Sequence, residues 1–184
     1  MRWVRLFDDL EGQLEAAEVA ELQAEVADRS RREAARLRLV DRLRAHAGAE
    51  LSVDLPGAGT LHGRLARVGP DWLLLAVPTG AEVLVPLGAL LGARGLTGRA
   101  AFPESEGVVA SRLDLRYALR LLARDRVAVT IALSDGSSVA GTIDRVGMDF
   151  LDLAEHPVAE PRRQGAVWAI RAIPLGALVA VRGG

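Results

Sequence analysis

Leu61 to Leu75 recurs as Val139 to Leu153, and this internal repeat constrains the chain more than any other feature. Gly63, Leu65, Arg67, Val68, Gly69, Asp71, Trp72 and Leu73 are answered by Gly141, Ile143, Arg145, Val146, Gly147, Asp149, Phe150 and Leu151. The offset is constant at 78, the distance from position 63 to position 141. A later block, Pro86 to Leu90, returns as Pro174 to Leu178 at an offset of 88. The second copy therefore carries ten more residues between its blocks, in the polar run from His156 to Gly165, where an insertion costs little because loop-closure entropy grows slowly with length. Whatever the chain folds into, it must contain one small unit twice.

A length of 184 residues, half of them hydrophobic, suits one ordinary domain or two very small ones, and the duplication favours two. The net charge of −1 gives no long-range pull toward phosphate, so the overall electrostatics favour neither nucleic acid nor membrane. All 23 cationic side chains are Arg, with no Lys and no Asn, which we read as the mark of a GC-rich genome rather than of selection for bidentate anion contacts. The absence of Cys removes disulfides, thiolate metal sites and thiol catalysis together. With no basic-then-apolar leader and no apolar run near 18 residues, the expected location is the cytoplasm, away from membranes.

From Leu6 to about His46 the chain lacks Pro and is rich in Ala, Leu, Glu and Arg, which predicts a helix of about 40 residues and ~60 Å. Its acidic residues, from Asp8 to Asp28, precede its basic ones, from Arg29 to Arg44, an order that suits the helix macrodipole and would let two copies lie antiparallel. Trp3, Phe7, Leu10 and Leu14 are the candidate contacts for such self-association.

Beyond the helix, Leu51–Leu55 and Leu61–Val68 alternate about a Pro56–Gly59 turn, which predicts a hairpin. Trp72–Val77, Glu82–Val85 and Leu90–Ala93 follow as three further strands, with a tight corner at Pro86–Ala89. Gly95 to Gly107, rich in Gly, Pro, Thr and Ser, is the expected linker. Ser111 then caps a helix expected to reach Ala123, in which Leu115, Ala118 and Leu121 match Leu37, Val40 and Leu43 at the same offset. The second set of strands is Val127–Leu133, Val139–Val146, Phe150–Leu153, Trp168–Ile173 and Leu178–Val181. So few strands bury an apolar face by curling, which predicts a small bent barrel in each copy.

A helix and five strands, with Gly63 or Gly141 on a bent second strand, Val68 or Val146 five residues on, and Trp72 or Phe150 four beyond that, resembles the Sm-like family that includes bacterial Hfq. The resemblance covers about 36 to 94 and 114 to 182. It implies a mainly β protein with α-helices: two tandem Sm-like five-stranded bent β-barrels, each preceded by a helix, plus the long N-terminal helix. The corresponding divisions are 1–35 for that helix, 36–95 for the first barrel with its leading helix, 96–110 for the linker, and 111–184 for the second. The departures fall where the family binds RNA. Its Asp six residues past the glycine is here Gly69 and Gly147, and its Asn ten past it is Leu73 and Leu151. At the corner after the fourth strand, Pro86 with Leu87 and Pro174 with Leu175 stand where the family has basic residues, and neither type offers a donor to a base or phosphate.

The polar residues offer little chemistry. Arg67 with Asp71 and Arg145 with Asp149 recur in both copies, and we read them as turn pairs flanking Gly69 and Gly147, the Asp binding turn amides and the Arg solvated or paired to it. His46, His62 and His156 are scattered, so no metal is expected, and no catalytic triad or phosphate loop is visible. Trp72, Trp168 and Phe150 are expected in the core. Arg162 and Arg163, together with Arg36 and Arg42 of the Arg-rich helix half, are the candidate anion or RNA contacts. The expectation is a non-enzymatic, cofactor-free binding or scaffold protein that forms a homo-oligomer and meets a protein partner the sequence does not name. The alternative is RNA binding through those Arg surfaces, which the missing pocket disfavours.

Overall fold

In a computed structural model the described residues are 2–101, 112–157 and 167–183; within the first helix, side chains are described at 12–13, 18–19 and from 21 onward. The chain divides into two compact units, Met1–Arg38 and Leu39–Gly184.

The first unit is helix α1, Arg2–Ala34. It is favoured by its Ala, Leu, Glu and Arg content and by ion pairs one turn apart, Asp28 with Arg32 and Arg29 with Glu33. Each such exposed pair contributes only about 0.3–0.5 kcal/mol. Val19, Leu22 and Val26 lie exposed along it. The helix stops at Ala34, short of the expected His46. A separate short helix α2, Leu39–Arg44, takes over and buries Val40, Asp41 and Leu43. Leu43 of α2 belongs to the core of the second unit.

The second unit holds ten strands. In the first copy these are β1 (Glu50–Leu55), β2 (Gly59–Val68), β3 (Trp72–Ala76), β4 (Glu82–Pro86) and β5 (Gly92–Arg94). In the second they are β6 (Ala128–Leu133), β7 (Ser138–Val146), β8 (Phe150–Glu155), β9 (Ala169–Pro174) and β10 (Leu178–Gly183). Helix α3 (Leu115–Arg124) precedes the second set. It begins four residues after the expected Ser111, which lies outside the described residues, and Asp114 is its cap: the Asp114 side chain accepts the Tyr117 amide at 2.8 Å.

The two expected closed barrels are not formed. All ten strands make one continuous antiparallel sheet in the order β5-β1-β2-β3-β4-β10-β6-β7-β8-β9. Each copy keeps the internal order fifth, first, second, third, fourth. Closing the second copy on itself would require β10 to pair with β9, but the free side of β10 pairs instead with β4 of the first copy. The sheet thus stays open, with β5 and β9 as its two edges.

Both copies bend at the same places. The register shifts by one residue between Leu65 and Arg67 and again between Ile143 and Arg145, a bulge that increases local curvature. Gly63 and Gly141 are required by close approach: a Cβ on Gly63 would stand 2.6 Å from the Ala76 carbonyl oxygen, and one on Gly141 would meet the equivalent oxygen of Ala154. Leu51, Val53, Leu65, Leu73 and Val85 fill the first core, and Val129, Ile131, Ile143, Leu151 and Leu119 of α3 fill the second.

Candidate interface at the repeat junction

The copies meet by exchanging parts. At the β4·β10 junction Leu84 lies opposite Val181 and Val83 opposite Arg182. Val179 and Ala180 of the second copy join the first core, while Trp72 and Leu84 of the first copy join the second core. The β2–β3 turn of the first copy also reaches the start of α3. Asp71 Oδ1 accepts the Leu115 amide at 2.7 Å, and Trp72 Nε1 donates to the Leu113 carbonyl, also at 2.7 Å.

Helix geometry explains why a carboxylate sits there. The first turn of a helix leaves its amides without intrahelical partners, and the aligned peptide dipoles favour negative charge. Asp114 takes one such amide and Asp71 another. Burial pushes the Asp71 carboxyl above its ordinary range, and neighbouring Asp114 adds to the rise, despite the Leu115 amide and the Arg116 guanidinium pulling the other way. Burial acts upward on Asp114 as well, but the Tyr117 amide and Arg116, at 2.7 Å, hold it below its ordinary range. On the other side of the junction the hairpin turns touch, since a Cβ on Gly57 would lie 2.5 Å from Gly136 Cα. Beside them a cleft of about 260 Å³ is lined by Leu61, Val83, Thr130, Ala132, Ala180 and the exposed Arg182.

The sheet edges carry the same positions uncovered. The offset of 88 pairs Val179 with Leu91, Leu84 with Ala172 and Pro86 with Pro174. Val179 is 1% exposed in the junction, whereas Leu91 on the β5 side is 71% exposed. Leu84 and Pro86 are buried, whereas Ala172 and Pro174 on β9 are exposed. At the offset of 78 Asp149 answers Asp71, yet its side chain has no hydrogen bond among the described residues. Phe150 is only half-buried where Trp72 is buried. Trp168, just before β9, is 75% exposed and Ile170 on β9 is 66% exposed.

The site residues expected from sequence fall apart into different roles. Arg67 is exposed, the solvated alternative of the turn-pair expectation, while Asp71 turns to α3 and Arg145 Nε donates to Asp152 at 2.8 Å, with the guanidinium 5.6 Å from the Phe150 ring centre. The bulge before Arg145 sets it opposite Asp152 rather than beside Asp149. Trp168, expected in the core, is exposed because it leads into an edge strand. Arg36 is exposed in the first unit, and Arg42 donates to the Thr97 carbonyl at 3.0 Å. Arg162 and Arg163 lie outside the described residues, as do the side chains of Trp3, Phe7, Leu10 and Leu14.

The histidines serve the fold. His46 bonds the Arg42 carbonyl at 2.7 Å and Thr97 at 2.9 Å; His156 bonds Thr142 at 2.8 Å and the Pro157 carbonyl at 2.9 Å. Among the described residues no three His, Asp or Glu side chains converge as a metal site, and no helix is long and apolar enough to cross a membrane. Sequence reasoning missed Leu91, Val179 and the cross-copy role of Asp71. Aligning the fifth strands at the offset of 88 would have set Leu91 beside Val179, though not shown which of them is covered. No model of a known protein family matches the chain, and a search of curated proteins finds no match.

Proposed function

We propose that the chain is a non-catalytic binding or scaffold protein that works as a self-associated assembly, with a second copy and a further protein as its partners. The observation that carries this reading is the apolar exposure at the sheet edges, where Leu91, Trp168 and Ile170 stand beside strands with an unpaired side. Unpaired strands present rows of free amides and carbonyls, and exposed apolar side chains beside them mark an interaction site more often than a solvated surface. A relation of the repeated unit to Sm-like domains belongs to the same proposal. Its support is the glycine-hinged second strand and the shared strand order of the two copies, not a match to any known family.

Light scattering coupled to size exclusion, at low and high salt, tests the reading. A nucleic-acid-free mass well above 19.6 kDa at both salts is the expected result. A single chain at every concentration would overturn it. So would co-purifying nucleic acid lost at high salt, since contacts to phosphate weaken steeply as salt rises.

A further inference from the structure

We propose that α1 pairs antiparallel with α1 of a second copy along the stripe Val19, Leu22 and Val26. This rests on the self-association reading and adds a contact outside the sheet. The three residues are 54%, 63% and 61% exposed, and their spacings of three and four place them on one side of the helix. No described side chain of α1 is buried. Helices in proteins draw most of their stability from packing an apolar face, so a helix of 33 residues with its stripe bare lacks the cover such a face ordinarily has.

Charge selects the cover and its direction. From Asp8 to Asp28 the chain carries eight carboxylates and no basic residue, and Arg29, Arg31 and Arg32 follow. A parallel second helix would set carboxylate beside carboxylate along most of its length. An antiparallel one brings the Arg end of each helix against the acidic stretch of the other. An anionic lipid surface is a poor fit, because Glu18 and Glu25 border the stripe where a membrane-bound helix carries Lys or Arg. The register that sets Leu22 of one copy against Val26 of the other, twice by symmetry, brings Glu18 of each helix near Arg32 of its mate. Arg32 already binds Asp28, yet its side chain is 74% exposed and can take a second carboxylate. One element opposes the contact: Glu25 meets its own counterpart near the twofold axis, and like charges there are destabilising.

The chain has no Cys, so an introduced thiol reports one position alone, and none of these side chains supports a core of the second unit. Oxidation of an equimolar mixture of Leu22→Cys and Val26→Cys chains is expected to give a disulfide-linked pair of the two, with little linkage in either variant by itself. Each variant linking to itself as readily as to the other would overturn the antiparallel direction. No linkage in any sample, with a parent that light scattering shows to be a multimer, would overturn the helix contact while leaving self-association standing; a parent that is a single chain throughout would overturn both. Glu18→Arg and Arg32→Glu should each raise the dissociation constant several-fold, and a one-to-one mixture of them should regain the parent value, because each supplies the charge the other now faces. A constant unchanged or lowered by Glu18→Arg would overturn the register.

Discussion

Asp71 Oδ1 holds the Leu115 amide at 2.7 Å across 44 positions of chain, so a turn of the first copy finishes the helix of the second. Its counterpart Asp149 holds no such amide among the described residues. Asp71→Ala is therefore expected to destabilise by about 1.5 kcal/mol, the lower end for a hydrogen bond to a charged group. Asp149→Ala should stay within about 0.5 kcal/mol of its parent. Urea midpoints at neutral pH measure both.

The same carboxylate sets a pH dependence. Its folded pKa is raised above the ordinary 3.8, so the folded state holds the proton more tightly than the unfolded one. Its contribution to stability is then fullest below the unfolded pKa and declines as pH rises through the folded value. Asp71→Asn keeps an acceptor for Leu115 but cannot ionise. Its stability relative to the parent should improve as pH rises from below 3.8 toward neutral, and urea unfolding across that range would show a flat difference if burial did not govern this carboxyl.

Trp72→Phe gives the first copy the residue that the second carries at the equivalent position. The ring stays apolar, but the bond from Nε1 to the Leu113 carbonyl is lost, which should reduce stability by about 1 kcal/mol. Thermal unfolding of Phe150→Trp provides the contrast, since among the described residues no helix start bonds to that turn as Leu113 and Leu115 bond to the other.

Asp114→Ala removes the cap of α3 and is expected to cost about 1 kcal/mol. Because the Asp114 pKa is lowered from 3.8, the stability it adds is present above the unfolded pKa and lost as pH falls through the folded one. The gap between variant and parent in chemical denaturation should accordingly close on acidification.

Gly63→Ala and Gly141→Ala should each destabilise by about 1–3 kcal/mol, because the added methyl meets a carbonyl oxygen of the neighbouring strand, which cannot withdraw as a side-chain tip would. Comparable losses at the two positions, read from urea midpoints, would show that both copies bend for the same reason.

Much of this fold is legible in the residues. Alternation about Val53, Leu65 and Leu73, and about Ile131, Ile143 and Leu151, places the strands within a residue or two of where they form, and the repeat gives both copies the same order. Pairing between strands is less legible, because a strand with two apolar neighbours available satisfies its alternation with either. Nothing in Leu178 to Gly183 distinguishes β9 from β4 as its second partner. The candidate site was hidden for the same reason. Asp71 looks like a local turn residue until the distant start of α3 is brought to it, and Leu91 looks like a core residue until the strand it leads into proves to be an edge. The end of α1 at Ala34 had no signal either, since neither Gly nor Pro stands there.

Joining β4 to β10 inside a single polypeptide has an arithmetical consequence. Five-strand units enter any closed assembly of this chain two at a time, so their number is even. The β4·β10 seam is present at any dilution because its two strands share a backbone. Dilution therefore leaves this seam intact, and the two copies stay in one-to-one proportion at every concentration.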